Sequence, residues 1–201
     1  MGRLGVALLI LIPLVILGCA GRDFTRPPPE SLVLGRTTPD DIKRQLGSPY
    51  STKTTTSNGK RIRTLHYTYA VAGSEAITGG LTTGRTMSFF FFESRLVGYQ
   101  YLSSFPEDST DFPAGRVGEI RKGRTTKQDI VDIFGPPHGI HVHPLVENRE
   151  DRNVIYNYHE SLGSAFAPVS QYKILVIQVD NEGIVRDFAS ISSRDRLGSV
   201  F

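Results

Sequence analysis

The chain has 201 residues, a formal net charge of +3, 39% hydrophobic residues and one cysteine. So small a positive balance gives no argument for nucleic acid as a partner. A single cysteine excludes an internal disulfide, and the length suits one domain or two small ones.

The chain opens MGRLGVALLILIPLVILGCAG. Arg3 supplies a short positive region, and Leu4 to Leu17 is an apolar run of fourteen residues. A bilayer core needs about 20 apolar residues, so residues 1–18 read as a secretory signal rather than a spanning helix. Ile16-Leu17-Gly18-Cys19 resembles the lipobox of bacterial lipoproteins. That resemblance implies cleavage before Cys19 and acylation of its thiol, with chains such as palmitate. Several acyl chains, at roughly 0.8 kcal/mol per buried methylene, make a lasting anchor. Ala20 stands where enteric lipoproteins retained in the inner membrane carry aspartate, so the resemblance implies the outer membrane, facing the periplasm. Residues 19–30 contain Pro27-Pro28-Pro29 and read as an extended tether between lipid and fold.

The first folded unit is expected over 31–103. Gly35 to Pro49 reads GRTTPDDIKRQLGSP. Thr38 stands three residues before Asp41, the spacing of a capping box, and Pro39 suits the first helical position. Ile42 and Leu46 lie one turn apart, and Gly47 and Pro49 end the helix. Asn58-Gly59 then predicts a hairpin between Ser51–Ser57 and Lys60–Ala70. Met87 to Phe92 and Leu96 to Leu102 read as two further strands.

A linker is expected over 104–117, followed by a second unit over 118–201. Gly123 to Pro137 reads GRTTKQDIVDIFGPP and matches the first stretch at eight of fifteen positions. Thr126 and Asp129 repeat the capping pattern, Ile130 and Phe134 the apolar stripe, and Gly135 and Pro136 the stop. Lys173 to Val179 and Ile184 to Ala189 repeat the strand pair, around the turn Asp180-Asn181-Glu182-Gly183. Helix followed by antiparallel meander, twice over, predicts an α+β fold of two tandem repeats. Units of about 80 residues have marginal cores, so the two should pack together.

These residues reach a known family. Leu32, Gly35-Arg36-Thr37 and Leu46-Gly47-Ser48-Pro49, then Ile120, Gly123-Arg124-Thr125 and Phe134-Gly135-Pro136-Pro137, resemble the SmpA/OmlA domain. That is the BamE-like group of small outer-membrane lipoproteins, and the tandem arrangement resembles the β-lactamase inhibitor protein fold. The resemblance implies a noncatalytic protein that binds other proteins, in outer-membrane assembly or envelope integrity, or as an enzyme inhibitor. It implies no cofactor, no metal, no nucleic acid and no small-molecule substrate.

Three constellations could suggest other chemistry. Gly79 to Thr86 imitates a phosphate-binding loop, but it carries Arg85 in place of lysine and opens a strand rather than a helix. It reads as a flexible loop. His138, His141 and His143, with His159 beyond, could form a metal-binding cluster, although no third ligand has fixed spacing. Solvent-facing strand histidines are the alternative. No nucleophile elbow is present.

Binding surface is what remains. Phe89–Phe92 and Ile174–Ile177 are apolar on both strand faces. Either the two units bury their second faces against each other, or an apolar aromatic face is exposed. Tyr67, Tyr69, Tyr99 and Tyr101 are the candidate partner-binding residues, since Tyr is favoured at interfaces. Long loops are expected over Ala70–Arg85 and Ser161–Gln171.

Overall fold

Two short helices begin at the expected caps. In the computed structural model, which describes residues 19–71, 83–164 and 167–193, α1 spans Pro39–Leu46 and α2 spans Lys127–Phe134. The Asp41 and Asp129 amides donate to the Thr38 and Thr126 hydroxyls, while each carboxylate accepts from the threonine amide at 2.8 Å. Each helix ends at a glycine, Gly47 with φ/ψ of +79°/−159° and Gly135 with +81°/−172°. This is not the left-handed helical region but a mirror-extended one, open essentially to glycine alone. The signal segment lies outside the described residues.

The strands are β1 (Cys19–Gly21), β2 (Ser51–Ser57), β3 (Lys60–Val71), β4 (Thr83–Phe92), β5 (Arg95–Ser103), β6 (Gly139–His141), β7 (Arg152–Ser164), β8 (Ala167–Val179) and β9 (Val185–Ser192). They form a single antiparallel sheet in the order β1-β3-β4-β5-β6-β7-β8-β9, with β2 also paired to β3. The protein is therefore α+β with few helices. The expected hairpin at Asn58-Gly59 is present, with Ser57 opposite Lys60.

Two sheets stacked through their second faces are not found. β5 and β6 join edge to edge, Gly98 to His141 and Gln100 to Gly139. Leu65, Phe89, Tyr99, Ile140, Val154, Ile177 and Phe188 are successive cross-strand partners and so share one face. Both helices cover that face. Ile42 packs with Leu65, Met87 and Phe89 in one cluster, and Ile130 and Phe134 pack with Val154, Leu175 and Ile177 in the other.

Matching contacts dock each helix to its strands. The Tyr67 hydroxyl donates to the Gly47 carbonyl at 2.9 Å, and that of Tyr156 to Gly135 at 2.8 Å. The Gly35 amide donates to Leu96 and the Leu96 amide to Thr37; Gly123, Val185 and Thr125 make the same exchange.

Three expectations about connections fail. The segment read as a tether is folded onto the helix-bearing face. β1 pairs Gly21 with Tyr69, Phe24 is 8% exposed in the first cluster with its ring 6.1 Å from Tyr67, and Arg26 lies 4.8 Å over the Tyr101 ring. The segment read as a linker is packed too, with Phe112 in the second cluster and Asp108 accepting from Tyr101 at 2.6 Å. Ser161–Gln171 is no loop, because β7 and β8 pair out to Ser164 and Ala167. Of the loop expected over 70–85, residues 72–82 lie outside the described residues, as does the first half of the phosphate-loop imitation, whose second half opens β4.

Two outcomes are expected in chemical unfolding. Phe24→Ala should lose about 3 to 5 kcal/mol, whereas a free tether residue would lose almost nothing. Tyr67→Phe and Tyr156→Phe should each lose about 1 to 2 kcal/mol by leaving a helix-end carbonyl unpaired, and the two losses should add.

Candidate interaction surface

The candidate tyrosines are mostly not on a free face. Tyr67, Tyr99 and Tyr101 are 4%, 5% and 0% exposed and belong to the first core cluster. Tyr69 is half-buried, stacked on Phe105 at 5.8 Å. Their two-residue spacing does put them on one face, but that is the face the helices and the N-terminal segment cover. Burial raises the Tyr101 phenol far above its ordinary value, and the hydrogen bond to the Asp108 carboxylate adds to this. Tyr67, Tyr99 and Tyr101 are thus core rather than an exposed partner-binding patch, and Tyr69 packs partly buried against them.

Above the tyrosines lies a charged cluster that has no local signature in the sequence. Arg85, with its side chain 11% exposed, reaches Glu107 at 2.9 Å, Asp108 at 3.3 Å and Asp23 at 3.8 Å. Its guanidinium also lies 4.4 Å over the Phe105 ring and donates to the Phe24 carbonyl. Arginine with its planar fork suits such multiple pairing. It ties the N-terminal segment and the 104–112 segment to β4. Arg26 continues the tie across the seam by donating to the Pro137 carbonyl at 3.3 Å.

The histidines have separate surroundings. His138 is buried, its Nδ1 accepting from the Asn157 amide at 3.0 Å, with its ring 5.3 Å from Tyr156. Burial, reinforced by the nearby Arg26 charge, pushes its imidazole down to about 4. His141 packs its ring 4.8 Å from Phe90, and burial pushes it to about 4 as well. His143 lies beyond β6, its Nδ1 3.3 Å from the Glu147 carbonyl, and His159 is exposed on β7. The description as strand histidines facing solvent thus fails for His138 and His141, which are packed against rings. Among the described residues no group of three or more His, Cys, Asp or Glu is placed to hold a metal.

The other face of the sheet is closed at its centre, where Gly139, Ile155 and Asn157 are buried, and opens toward β8 and β9. His66, Ser88, Gln100, Gly139, Ile155, Val176 and Ala189 are successive cross-strand partners on it. His66 Nδ1 lies 2.9 Å from the Ser88 hydroxyl, and burial, with Lys53 adding, holds the ring below its ordinary range. One row over, Ile174 faces Ile191 across β8 and β9; they are 40% and 55% exposed. Toward the β2–β3 turn this face is closed by the segment after β6. Ser57 and Asn58 donate to the Pro144 carbonyl at 3.1 and 2.9 Å, and Pro144 and Val146 are buried. Phe90 faces this cover, which is how an aromatic run on both strand faces is accommodated. The exposed part of this face thus lies on β8 and β9, at Ile174, Ala189 and Ile191, while His66, Ser88, Gln100 and Val176 are part-buried. A groove of about 400 Å³ lies beside it, between Phe112–Val117 and the ends of β8 and β9. Lys173, the charged residue of its lining, is paired with Asp111 at 2.6 Å.

No protein-family model matches the sequence, and no curated protein matches it. Among solved structures the chain is similar to a Streptococcus mutans protein provisionally described as a beta-lactamase inhibitor protein. The identity is 12%, with 77% of this chain and 82% of that chain covered, and the TM-score is 0.40. The likeness is a distant one of fold.

The buried histidines make stability depend on pH. Unfolded, an imidazole takes up its proton near the ordinary 6.5; folded, His138 holds off until about 4. Stability present at neutral pH is therefore lost as pH falls from 6.5 toward 4, by about 3 kcal/mol for one such group. Melting curves at pH 7 and pH 4.5 should show this loss. His138→Leu should be less stable at pH 7, because the Asn157 amide loses its acceptor, yet lose less between the two pH values. An unchanged pH dependence would show that His138 is not the titrating group.

Proposed function

We propose that this is a noncatalytic, lipid-anchored cell-envelope protein that binds another protein through the open face of its sheet. The observation that supports this most is the arrangement of layers. Both helices, the N-terminal segment and the 104–119 segment all lie on one face; on the opposite face the centre is closed at Ile155 and Asn157, while Ile174, Ala189 and Ile191 of β8 and β9 are exposed. A wide surface with scattered hydroxyl and amide groups and an exposed aliphatic pair suits a protein partner better than a small ligand.

The same reading takes the chain as a tandem duplication of the SmpA/OmlA type. Paired capping boxes, paired tyrosine-to-glycine bonds and paired Gly–Leu–Thr and Gly–Val–Thr exchanges support it. Acylation of Cys19, residence at the outer membrane facing the periplasm, and a part in outer-membrane assembly or envelope integrity are proposed with it, from the lipobox resemblance and Ala20.

Two measurements test the proposal. Cys19→Ala should accumulate as an unprocessed, unlipidated precursor; normal processing to a water-soluble mature protein would sink the anchor. Capture from envelope extract should recover a partner, and Ile174→Ser with Ile191→Ser should weaken capture. A change of about thirtyfold corresponds to about 2 kcal/mol, the scale of a binding hot spot. Melting should move little, since both side chains are exposed. Recovery of an enzyme whose activity falls on binding would favour the inhibitor reading over an assembly role. Undiminished capture by the double variant would remove the open face from the proposal.

A further inference from the structure

We propose that the lipid-bearing end of the chain is bolted to the sheet, so that one rim of the sheet is held against the bilayer surface in a fixed orientation. The inference rests on the lipid-anchor reading above and adds the surface that meets the membrane.

The backbone of β1 carries it. Cys19 pairs with Val71, Ala20 with Ala70 and Gly21 with Tyr69, so the attachment residue is itself a strand residue at the end of β3. No free residues separate lipid from fold. The fit at Gly21 is tight. With φ of +87°, a Cβ there would lie 1.9 Å from the Thr68 carbonyl oxygen, so only glycine allows the chain this close. Immediately downstream the chain stays docked. Phe24 is buried against Tyr67, Asp23 reaches Arg85, and Arg26 lies over Tyr101.

Strand direction then says which rim faces the lipid. All neighbours in the sheet are antiparallel, so β3, β5, β7 and β9 end on the Cys19 side. Phe105, stacked on Tyr69, places the 105–108 turn at the same corner. Next to β1, the Asn58-Gly59 and Glu93-Ser94 turns lie at the opposite ends of β3 and β4. At about 3.4 Å per residue, the length of β4 separates the two rims by about 30 Å. A partner would then meet the open face from the side, along the membrane plane. The rim near Cys19 carries Asp23, Glu107 and Asp108 beside Arg85. Among the described residues this corner has no cationic excess to draw it to anionic lipid, so the orientation rests on the attachment alone.

The test uses the full acylated protein in phosphatidylcholine vesicles containing lipid with a nitroxide on the headgroup, which quenches only at short range. Acylation blocks the Cys19 thiol, so Pro106→Cys and Ser94→Cys each supply one free thiol for a fluorophore, near Cys19 and at the far end of β4. The label at 106 should lose most of its fluorescence and the label at 94 almost none. Inserting ten Gly/Ser residues between Ala20 and Gly21 should free the fold from its anchor and abolish the difference. Gly21→Val should do the same by forcing β1 off β3. Equal quenching at the two sites in acylated, membrane-bound protein overturns the fixed orientation while leaving the anchor intact. Protein whose mass shows no acyl chains, and which does not bind vesicles, overturns the anchor and the orientation together.

Discussion

Nine strands form a single sheet only because Gly98–Gln100 pairs with Gly139–His141. The seam is three residues long. The Tyr101 amide extends it by donating to His138, and the Val142 amide by donating to Val97, each at 2.9 Å. Its closeness depends on Gly139, where a Cβ would lie 2.5 Å from the Tyr99 carbonyl oxygen. Every alignment across the molecule passes through this strip. Without it, the helix-bearing face would be two unrelated faces, and the open face would be two narrow ones. Arg26 could not reach from the first cluster to the Pro137 carbonyl.

Arg85 is the second fixed point, and it works by position rather than by strength. Burying a guanidinium with carboxylates costs desolvation that the attraction only partly offsets. Its Nε is also buried without a hydrogen-bond partner. What the cluster achieves is geometric: one planar cation selects the placement of Asp23, Glu107 and Asp108, which belong to two separate segments. Those segments carry Phe24 and Phe105 to the sheet.

Local features of the fold were legible, and nonlocal ones were not. The capping threonines, the helix-ending glycines and the Asn58-Gly59 turn act within four residues, so their letters suffice. Tyrosine spacing gave a shared face correctly for Tyr67 and Tyr69, and for Tyr99 and Tyr101. Which face it was depended on where α1 and residues 22–31 pack, and a period of two carries no such sign. The docking of the N-terminal segment is not legible in its composition, which three prolines dominate, because it rests on nonlocal contacts of Gly21, Asp23, Phe24 and Arg26. Gly21 is the local signal, since its positive φ and its contact with the Thr68 carbonyl leave room for no side chain. The seam has no sequence signature, because a three-residue strand shows no periodicity.

β2 differs from all its neighbours in what holds it. Its sequence, STKTTTS, contains no aliphatic or aromatic side chain, and its five central residues are exposed. The ladder to β3 retains the strand, together with the two bonds from Ser57 and Asn58 to Pro144 at one end. Its Ser51 end has no such pin. Opening β2 from that end would uncover almost no apolar area, so its cost in free energy is far below that of global unfolding. Its amides should therefore exchange with solvent while the rest of the sheet stays protected. The β3 edge is thus guarded in two ways: by a tightly fitted β1 where the chain enters, and by a polar strand that can come and go where the hairpin turns.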